Sequence, residues 1–153
     1  MVGRLIAELK QTKPFRSRAD EAYLNLVRTA DLLKHDVAGF LKPFGLTPTQ
    51  YNVLRILRGA GGAPKTCGEI SERLVTAEPD VTRLLDRIER QGLLDRERSA
   101  SDRRVVRSRI TAKGLDLLAT IDQGIDAHQA RRLGRLGSER LTQLIDILED
   151  LRA

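Results

Sequence analysis

Residues 66–110 show two short helical patterns in close succession, followed at once by a strand pattern that turns back on itself. The letters TCGE at 66–69 have the form of a capping box, in which a threonine and a glutamate each bond a free backbone amide, and predict the first helix. The second helix ends at Gly92, and SASD at 99–102 predicts a turn before a strand that ends at Ile110. The apolar side chains of the second helix share one face: Val81, Leu84, Leu85 and Ile88. The pattern therefore predicts a helix-turn-helix followed directly by a β-hairpin.

Helical patterns also flank this segment on both sides. They predict a long helix from about Arg16 to Leu41, a helix capped by Thr47, one that starts at Thr111 and one after Ser138. A short amphipathic segment precedes them, with apolar positions Val2, Leu5, Ile6 and Leu9. We predict a mainly α fold with a small β-hairpin wing (α+β), in which a winged helix-turn-helix lobe lies between terminal helices.

The chain is expected to form one structural unit, since no polar or repetitive stretch marks a linker. Within it, residues 44–110 would form the winged helix-turn-helix lobe, and residues 1–43 and 111–153 a helical region. The small lobe cannot cover all the apolar faces of those terminal helices. A helical interface in a homodimer is the economical explanation.

Positive charge is concentrated in the second helix and the hairpin. The formal net charge is +6, and residues 81–110 hold nine arginines, no lysine and five acidic residues. Such a charge suits nucleic acid or an acidic membrane surface. Arginine grips phosphate and base edges with paired hydrogen bonds, which favours double-stranded DNA. The alternative is a solvated face with local ion pairs.

The polar face of the second helix carries the predicted contacts with the major groove: Thr82, Arg83, Asp86, Arg87 and Arg90. Arg83 and Arg87 lie one turn apart, so both reach the groove or its phosphate edges. On an ordinary surface helix the same arginines would only pair with nearby acids. The hairpin favours DNA, because an arginine at its tip is placed to enter a minor groove while Asp102 holds the guanidinium.

Four stretches of residues 44–114 read FGLTPTQYNVLRIL, TCGEISERL, DVTRLLDRIERQGLL and SDRRVVRSRITAKG. Together they resemble the MarR family of winged-helix transcription regulators. The second-helix pattern, followed by D-x-R and a strand ending in Ile-Thr, is far more specific than a helix-turn-helix pattern alone. The resemblance implies a dimeric, sequence-specific DNA-binding regulator, expected to be a repressor, whose N- and C-terminal helices interlock. A two-fold dimer in turn predicts a pseudopalindromic operator.

The resemblance also assigns roles to single residues. Residues 78–90 would be the recognition helix, Arg104 the wing arginine in the minor groove, Asp102 its orienting carboxylate and Arg103 a phosphate contact. We expect the Thr66 cap of the preceding helix to lie near the phosphate backbone. Many members release DNA when a small phenolic or other aromatic ligand binds between the lobe and the dimerisation helices. Three cations could neutralise such a ligand, although a surface or interface role explains each more readily: Arg55, Arg58 and His35.

The chain departs from the family's pattern at the start of the recognition helix. The region reads TAEPD at 76–80, with Ala77 where a small hydroxylated residue usually caps the helix. Either Thr76 caps the helix one residue early, or the helix begins elsewhere. The roles of Glu78 and Asp80 depend on which alternative holds.

Cys67 is the only cysteine, so no intrachain disulfide forms and a reducing cytoplasm is the expected compartment. It lies in the first turn of a helix, where the helix dipole favours a thiolate, and a redox-sensing regulator is therefore one alternative. A small buried filler is the other. Peroxide-sensing relatives carry their cysteine in the first helix, and this chain has no cysteine there.

The remaining sequence favours no catalytic or cofactor site. His35 and His128 are far apart, and neither has a second ligand at metal-binding spacing. No Gly-rich phosphate loop, nucleophile elbow or paired catalytic carboxylates are present, so an enzyme is not expected. No apolar run is long enough to cross a bilayer. Two alternatives stay open: a winged-helix protein-interaction module without DNA binding, and an architectural DNA binder with a similar salt dependence on any duplex.

Overall fold

The computed structural model describes residues 4–153, so the predicted helical position Val2 lies outside the described residues. The chain divides into two compact units, Met1–Val37 and Ala38–Ala153. The first unit contains the short helix α1 (Arg4–Glu8) and the part of α2 (Arg18–Leu41) up to Val37. Inside this unit, Arg28 Nε donates to Glu8 Oε2 at 3.0 Å. The predicted short amphipathic helix and the long helix after it are thus confirmed.

Helix α3 (Pro48–Gly59) belongs to the second unit. Thr47 caps it as predicted: its side chain accepts from the Gln50 amide, and Gln50 Oε1 accepts from the Thr47 amide at 2.9 Å. Proline at the first helical position suits this start, because its missing N–H would have had no partner there. The inner face of α3 is fully buried at Val53 and Leu54. This helix packs against the next helix along the chain.

Helices α4 (Cys67–Ser71) and α5 (Val81–Arg90) form the helix-turn-helix pair. The predicted apolar face of α5 is buried at all four positions: Val81, Leu84, Leu85 and Ile88. The segment between the helices covers residues 72–80, because α4 ends at Ser71 and α5 begins at Val81. Asn52 of α3 supports this segment, since its side-chain oxygen accepts from the Val75 amide at 2.9 Å.

The wing is an antiparallel hairpin of β2 (Leu94–Arg98) and β3 (Val106–Ile110), with Leu94 opposite Ile110. A third strand, β1 (Lys65–Thr66), pairs with β3, and the sheet order is β1-β3-β2. The prediction of two strands was incomplete, because a two-residue strand is too short to show an alternating pattern. Strand β1 attaches the wing to the residues that start α4.

Helix α6 (Ala112–Leu133) packs closely on the junction between α5 and the hairpin. Gly114 allows this approach: a Cβ there would lie 2.4 Å from the Leu93 carbonyl oxygen. Thr111 caps α6 and also donates from its hydroxyl to the Gly92 carbonyl at 2.7 Å. Helix α7 (Gly137–Asp150) follows a short 3-10 turn, and none of its side chains is buried.

Candidate nucleic-acid interface

Helix α5 begins at Val81, so the expected span of 78–90 was wrong at its N-terminal end. Asp80 is the cap, and its side chain accepts from the Arg83 amide at 2.9 Å. Of the two alternatives left open by the sequence, the later helix start is correct, and Thr76 is not the cap. The carboxylate of Asp80 therefore satisfies a free amide of its own helix. Glu78 in turn accepts from the Asp80 amide at 3.3 Å.

Four of the five predicted recognition-helix residues are exposed: Thr82, Arg83, Arg87 and Arg90. They lie opposite the buried face of α5, and three of them are cationic. Such a surface has the width and charge of a helix that enters a major groove. Their role as DNA contacts stays a prediction.

Asp86 does not share this open face. It is half-buried, and its Oδ1 lies 2.5 Å from Nη2 of Arg96 on β2. The same Arg96 nitrogen lies 2.7 Å from Oε2 of Glu89, one turn further along α5. The helical wheel placed Asp86 on the exposed face because it took no account of a cation on the next strand. The role of Asp86 as a DNA contact stays a prediction. Bonding to Glu89 and Asp86 raises the pKa of Arg96 above its ordinary value.

The wing tip, residues 99–105, is shaped by hydrogen bonds of the main chain. Asp102 Oδ1 accepts from the Arg104 amide at 2.9 Å, and the Asp102 carbonyl accepts from the Val105 amide at 3.0 Å. The expectation that Asp102 holds the Arg104 guanidinium is not what this geometry shows. An aspartate at this place bonds the backbone two residues on and so fixes a turn. Arg103 and Arg104 are both exposed at that turn.

A groove of about 420 Å³ separates the start of α4, helix α5 and the wing. Thr82 of α5 and Arg104 of the wing both line it, and so does Cys67. The Cys67 Sγ lies 3.7 Å from the Thr82 hydroxyl. One predicted residue from each of the helix, the wing and the α4 cap therefore lines the same concave surface: Thr82, Arg104 and Thr66.

The capping box at the edge of this groove is confirmed. Thr66 Oγ1 accepts from the Glu69 amide at 3.2 Å, while Glu69 Oε2 accepts from the Thr66 amide at 2.8 Å. The Thr66 amide, followed by other nearby donors, lowers the pKa of Glu69. Thr66 belongs to β1 as well, so one residue connects the cap to the sheet. Its proximity to a phosphate stays a prediction.

Sequence reasoning did not single out Arg96, whose contacts join two elements. The alternation of residues along β3 does mark the arginines on the outer face of that strand. Ser108 is buried, whereas Arg107 and Arg109 are exposed. No comparable pattern marks Arg96, because its partners lie on a helix that precedes it in the chain. Arg109 pairs only across the hairpin, at 3.5 Å from Glu97.

Two of the cations considered as contacts for an effector instead contact other side chains of this protein. Arg58 pairs with Asp122 at 2.5 Å, and this bond raises the pKa of Arg58. Arg55 lies over the Tyr51 ring, 5.8 Å from its centre. Within residues 4–153 no group of three or more potential metal ligands occurs, and no helix there has the length and apolar character of a membrane span.

Comparisons with known proteins agree with this architecture. A model of the MarR family matches residues 44–105. The HTH-type transcriptional regulator YkoM of Bacillus subtilis is 33% identical over 108 residues, which are 71% of this chain and 69% of that protein. MhqR, a second HTH-type regulator of B. subtilis, is 31% identical over 105 residues, 69% of this chain and 71% of that one.

A MarR transcription factor from Planctomyces limnophilus is similar in structure, with a TM-score of 0.70 and 38% identity over 88% of this chain and 98% of that one. AbsC, a MarR family regulator from Streptomyces coelicolor, has a TM-score of 0.78 and 25% identity over 92% and 99%. These relatives are transcription regulators and not enzymes. On the fold, the arginine-rich helix and wing, and these likenesses, the chain belongs to the MarR family of DNA-binding transcription regulators.

Proposed function

We propose that the protein is a homodimeric repressor that binds a specific pseudopalindromic sequence in double-stranded DNA. The observation that carries the proposal is the shared groove, in which Thr82 of α5 and Arg104 of the wing face one concave surface. Helix α5 reads base edges in the major groove through Thr82 and Arg83, and Arg87 and Arg90 contact its phosphate edges. Arg104 enters the adjacent minor groove, with Arg103 at a phosphate.

The dimer rests on apolar side chains exposed on both terminal parts of the chain. Residues 1–43 and 111–153 form the dimerisation region in this proposal. On α2, Tyr23 is 64% exposed and Val27 50% exposed. On α7, Ile145 and Ile147 are 53% and 58% exposed. Burying such side chains against a second copy removes apolar surface from water, and a two-fold axis then sets the half-sites about one helical turn apart.

A small phenolic or other aromatic ligand is proposed to release the protein from DNA. A regulator of the same fold, 18% identical, is described in a form bound to 2,4-dichlorophenol. In this chain a cavity of about 510 Å³ lies beside the C-terminal end of α5, with walls that include Phe44, Leu93 and Leu117 and the cation Lys113. The lining also includes Gln91, Asp116 and Thr120. Apolar walls with one cation and one carboxylate suit a neutral phenol, whose hydroxyl group can accept from the ammonium and donate to the carboxylate. Lys113 donates to the Gln91 carbonyl at 2.7 Å, so a ligand that takes this ammonium perturbs the end of α5.

The first experiment is selection from a pool of random duplexes at near-physiological salt, with sequencing of the retained DNA. An enriched inverted repeat supports a specific dimeric regulator and provides the probe for a screen of phenols. Retention of DNA without enrichment of any sequence would favour an architectural binder. If no DNA is retained, an interaction module is favoured. Light scattering of the free protein and its complex measures the number of chains bound per duplex.

Redox control through Cys67 is a second candidate, favoured by the 3.7 Å contact between its sulfur and the Thr82 hydroxyl. An oxidised or alkylated sulfur there would occupy the groove beside a predicted base contact. Treatment with peroxide should then release the selected duplex from the protein but not from Cys67→Ser. Equal release from both proteins would exclude this mode of control.

A further inference from the structure

Arg96 forms a clamp between the wing and helix α5. Its Nε donates to Glu89 Oε2 at 2.8 Å, and its backbone amide donates to Glu89 Oε1 at 3.3 Å. Its Nη2 bonds Asp86 Oδ1 at 2.5 Å and Glu89 Oε2 at 2.7 Å. One strand residue therefore holds two carboxylates that are one turn apart on the recognition helix.

This cluster differs from an ordinary surface ion pair. The Arg96 side chain is 22% exposed, and those of Asp86 and Glu89 are 34% and 36% exposed. A guanidinium is planar and has its donors in fixed directions, so bonding two carboxylates restricts its position more than a single contact does. Partial removal from water also reduces screening by salt. The three side chains fix an angle between two elements.

A second wing pair provides the contrast. Arg109 and Glu97 are separated by 3.5 Å, their side chains are 51% and 62% exposed, and both belong to the hairpin. That pair cannot orient the wing relative to α5, because neither partner lies on the helix. An exposed pair of this kind contributes little to stability.

We infer that Arg96 is a positioning residue, which holds the wing at a fixed angle to α5 so that both elements reach DNA as one preformed surface. The inference rests on the proposed function, because it concerns how Arg104 and the α5 side chains are presented to the same duplex. Without the clamp, the wing must be ordered at the moment of binding, and the entropy of that ordering is subtracted from the affinity. Arg96 thus acts through Arg104.

The decisive comparison is between Glu89→Gln and Glu97→Gln. Both substitutions remove one acidic charge from the DNA-binding lobe, so long-range electrostatics alone predicts slightly tighter DNA binding for both. The clamp predicts that the two variants differ: Glu89→Gln weakens binding to the selected operator by about tenfold, whereas Glu97→Gln leaves the Kd within about twofold. Tighter or equal binding by Glu89→Gln would overturn the inference.

A second measurement tests whether the clamp acts through the wing. Arg104→Ala is made in the parent protein and in Glu89→Gln, and the two losses of affinity are compared in a double-mutant cycle. If Arg96 presents the wing, the loss caused by Arg104→Ala shrinks in the Glu89→Gln background. An equal loss in both backgrounds would mean that Arg96 does not position Arg104, whatever the affinity of the single variant.

A third measurement needs no DNA and separates failure of the inference from failure of the proposed function. The distance between a spin label on the wing tip and one on the exposed face of α5 is measured in both variants, in a Cys67→Ser background. A broader or shifted distribution of distances in Glu89→Gln than in Glu97→Gln supports the clamp even if no duplex is selected, and equal distributions contradict it. Should Glu89→Gln fold poorly, Asp86→Asn replaces it, because that variant leaves the Glu89 bonds to Arg96 in place.

Discussion

The recognition helix and the wing tip are held in place by different forces. Helix α5 is anchored by a row of apolar side chains, among which Ile88 has no exposed surface. The wing tip has an Asx-type bond from Asp102 to the Arg104 amide, and its base is tied to α5 through Arg96. Burial of apolar surface is non-directional, whereas each polar bond sets a distance and an angle. Damage to α5 should therefore affect stability first, and damage to the wing should affect binding first.

The largest effect is expected from Ile88→Ala. The substitution removes a fully buried side chain and leaves a cavity beneath α5, with an expected cost of about 2–5 kcal/mol in the free energy of unfolding. Denaturant unfolding followed by circular dichroism measures it. Arg87→Ala, on the exposed face of the same helix, is the control and should change stability little. Comparable losses in the two variants would contradict the assignment of the buried face.

Gly114→Ala tests the joint where α5, the wing and α6 meet. The added Cβ would lie 2.4 Å from the Leu93 carbonyl oxygen and 2.7 Å from Ile110 Cγ1, so the backbone must shift. We expect a loss of about 1–3 kcal/mol in unfolding free energy. Gly59→Ala is a matched control, because nothing lies within 4 Å of a Cβ there. An unchanged midpoint for Gly114→Ala would show that α6 moves away at little cost.

Arg104→Ala is expected to weaken binding to the selected operator by about 1–3 kcal/mol while leaving the unfolding transition of the protein unchanged. The side chain is exposed at the wing tip, so its loss should appear in the titration with DNA rather than in stability. Fluorescence anisotropy with a labelled duplex gives the Kd, and thermal unfolding provides the check on the fold. Unchanged affinity would remove Arg104 from the interface.

The smallest effect is expected from pH, through the capping box at the edge of the groove. The pKa of Glu69 is lowered, mainly by the Thr66 amide, so its contribution to stability is present above the ordinary carboxylate pKa and lost as pH falls through the lowered folded-state pKa. Other carboxylates titrate in the same range, and the comparison is therefore made against Glu69→Gln. The thermal midpoint of the parent protein should fall more steeply with decreasing pH than that of Glu69→Gln. Parallel curves would mean that the charge of Glu69 does not contribute to the stability of the fold.

Much of the lobe was predictable because its signals are local. The capping box at Thr66, the apolar face of α5 and the hairpin between β2 and β3 each depend on residues close together in the chain, although the hydrogen-bonded turn lies at 102–105 and not at 99–102. The start of α5 was less predictable, since TAEPD offers several capping residues and only the backbone path decides that Asp80 is used. The candidate site followed the same division: the exposed arginines were foreseen, whereas the position of Asp86 was not.

Periodicity and composition are properties of the chain, so the sequence alone indicates the order of the helices, the two hairpin strands, the buried face of α5 and the concentration of arginine in residues 81–110. Contacts in the folded chain were needed to show that β1 joins the hairpin and that Arg96 bonds Asp86 and Glu89. Each of these depends on a directional bond between segments whose separation in space no local pattern specifies.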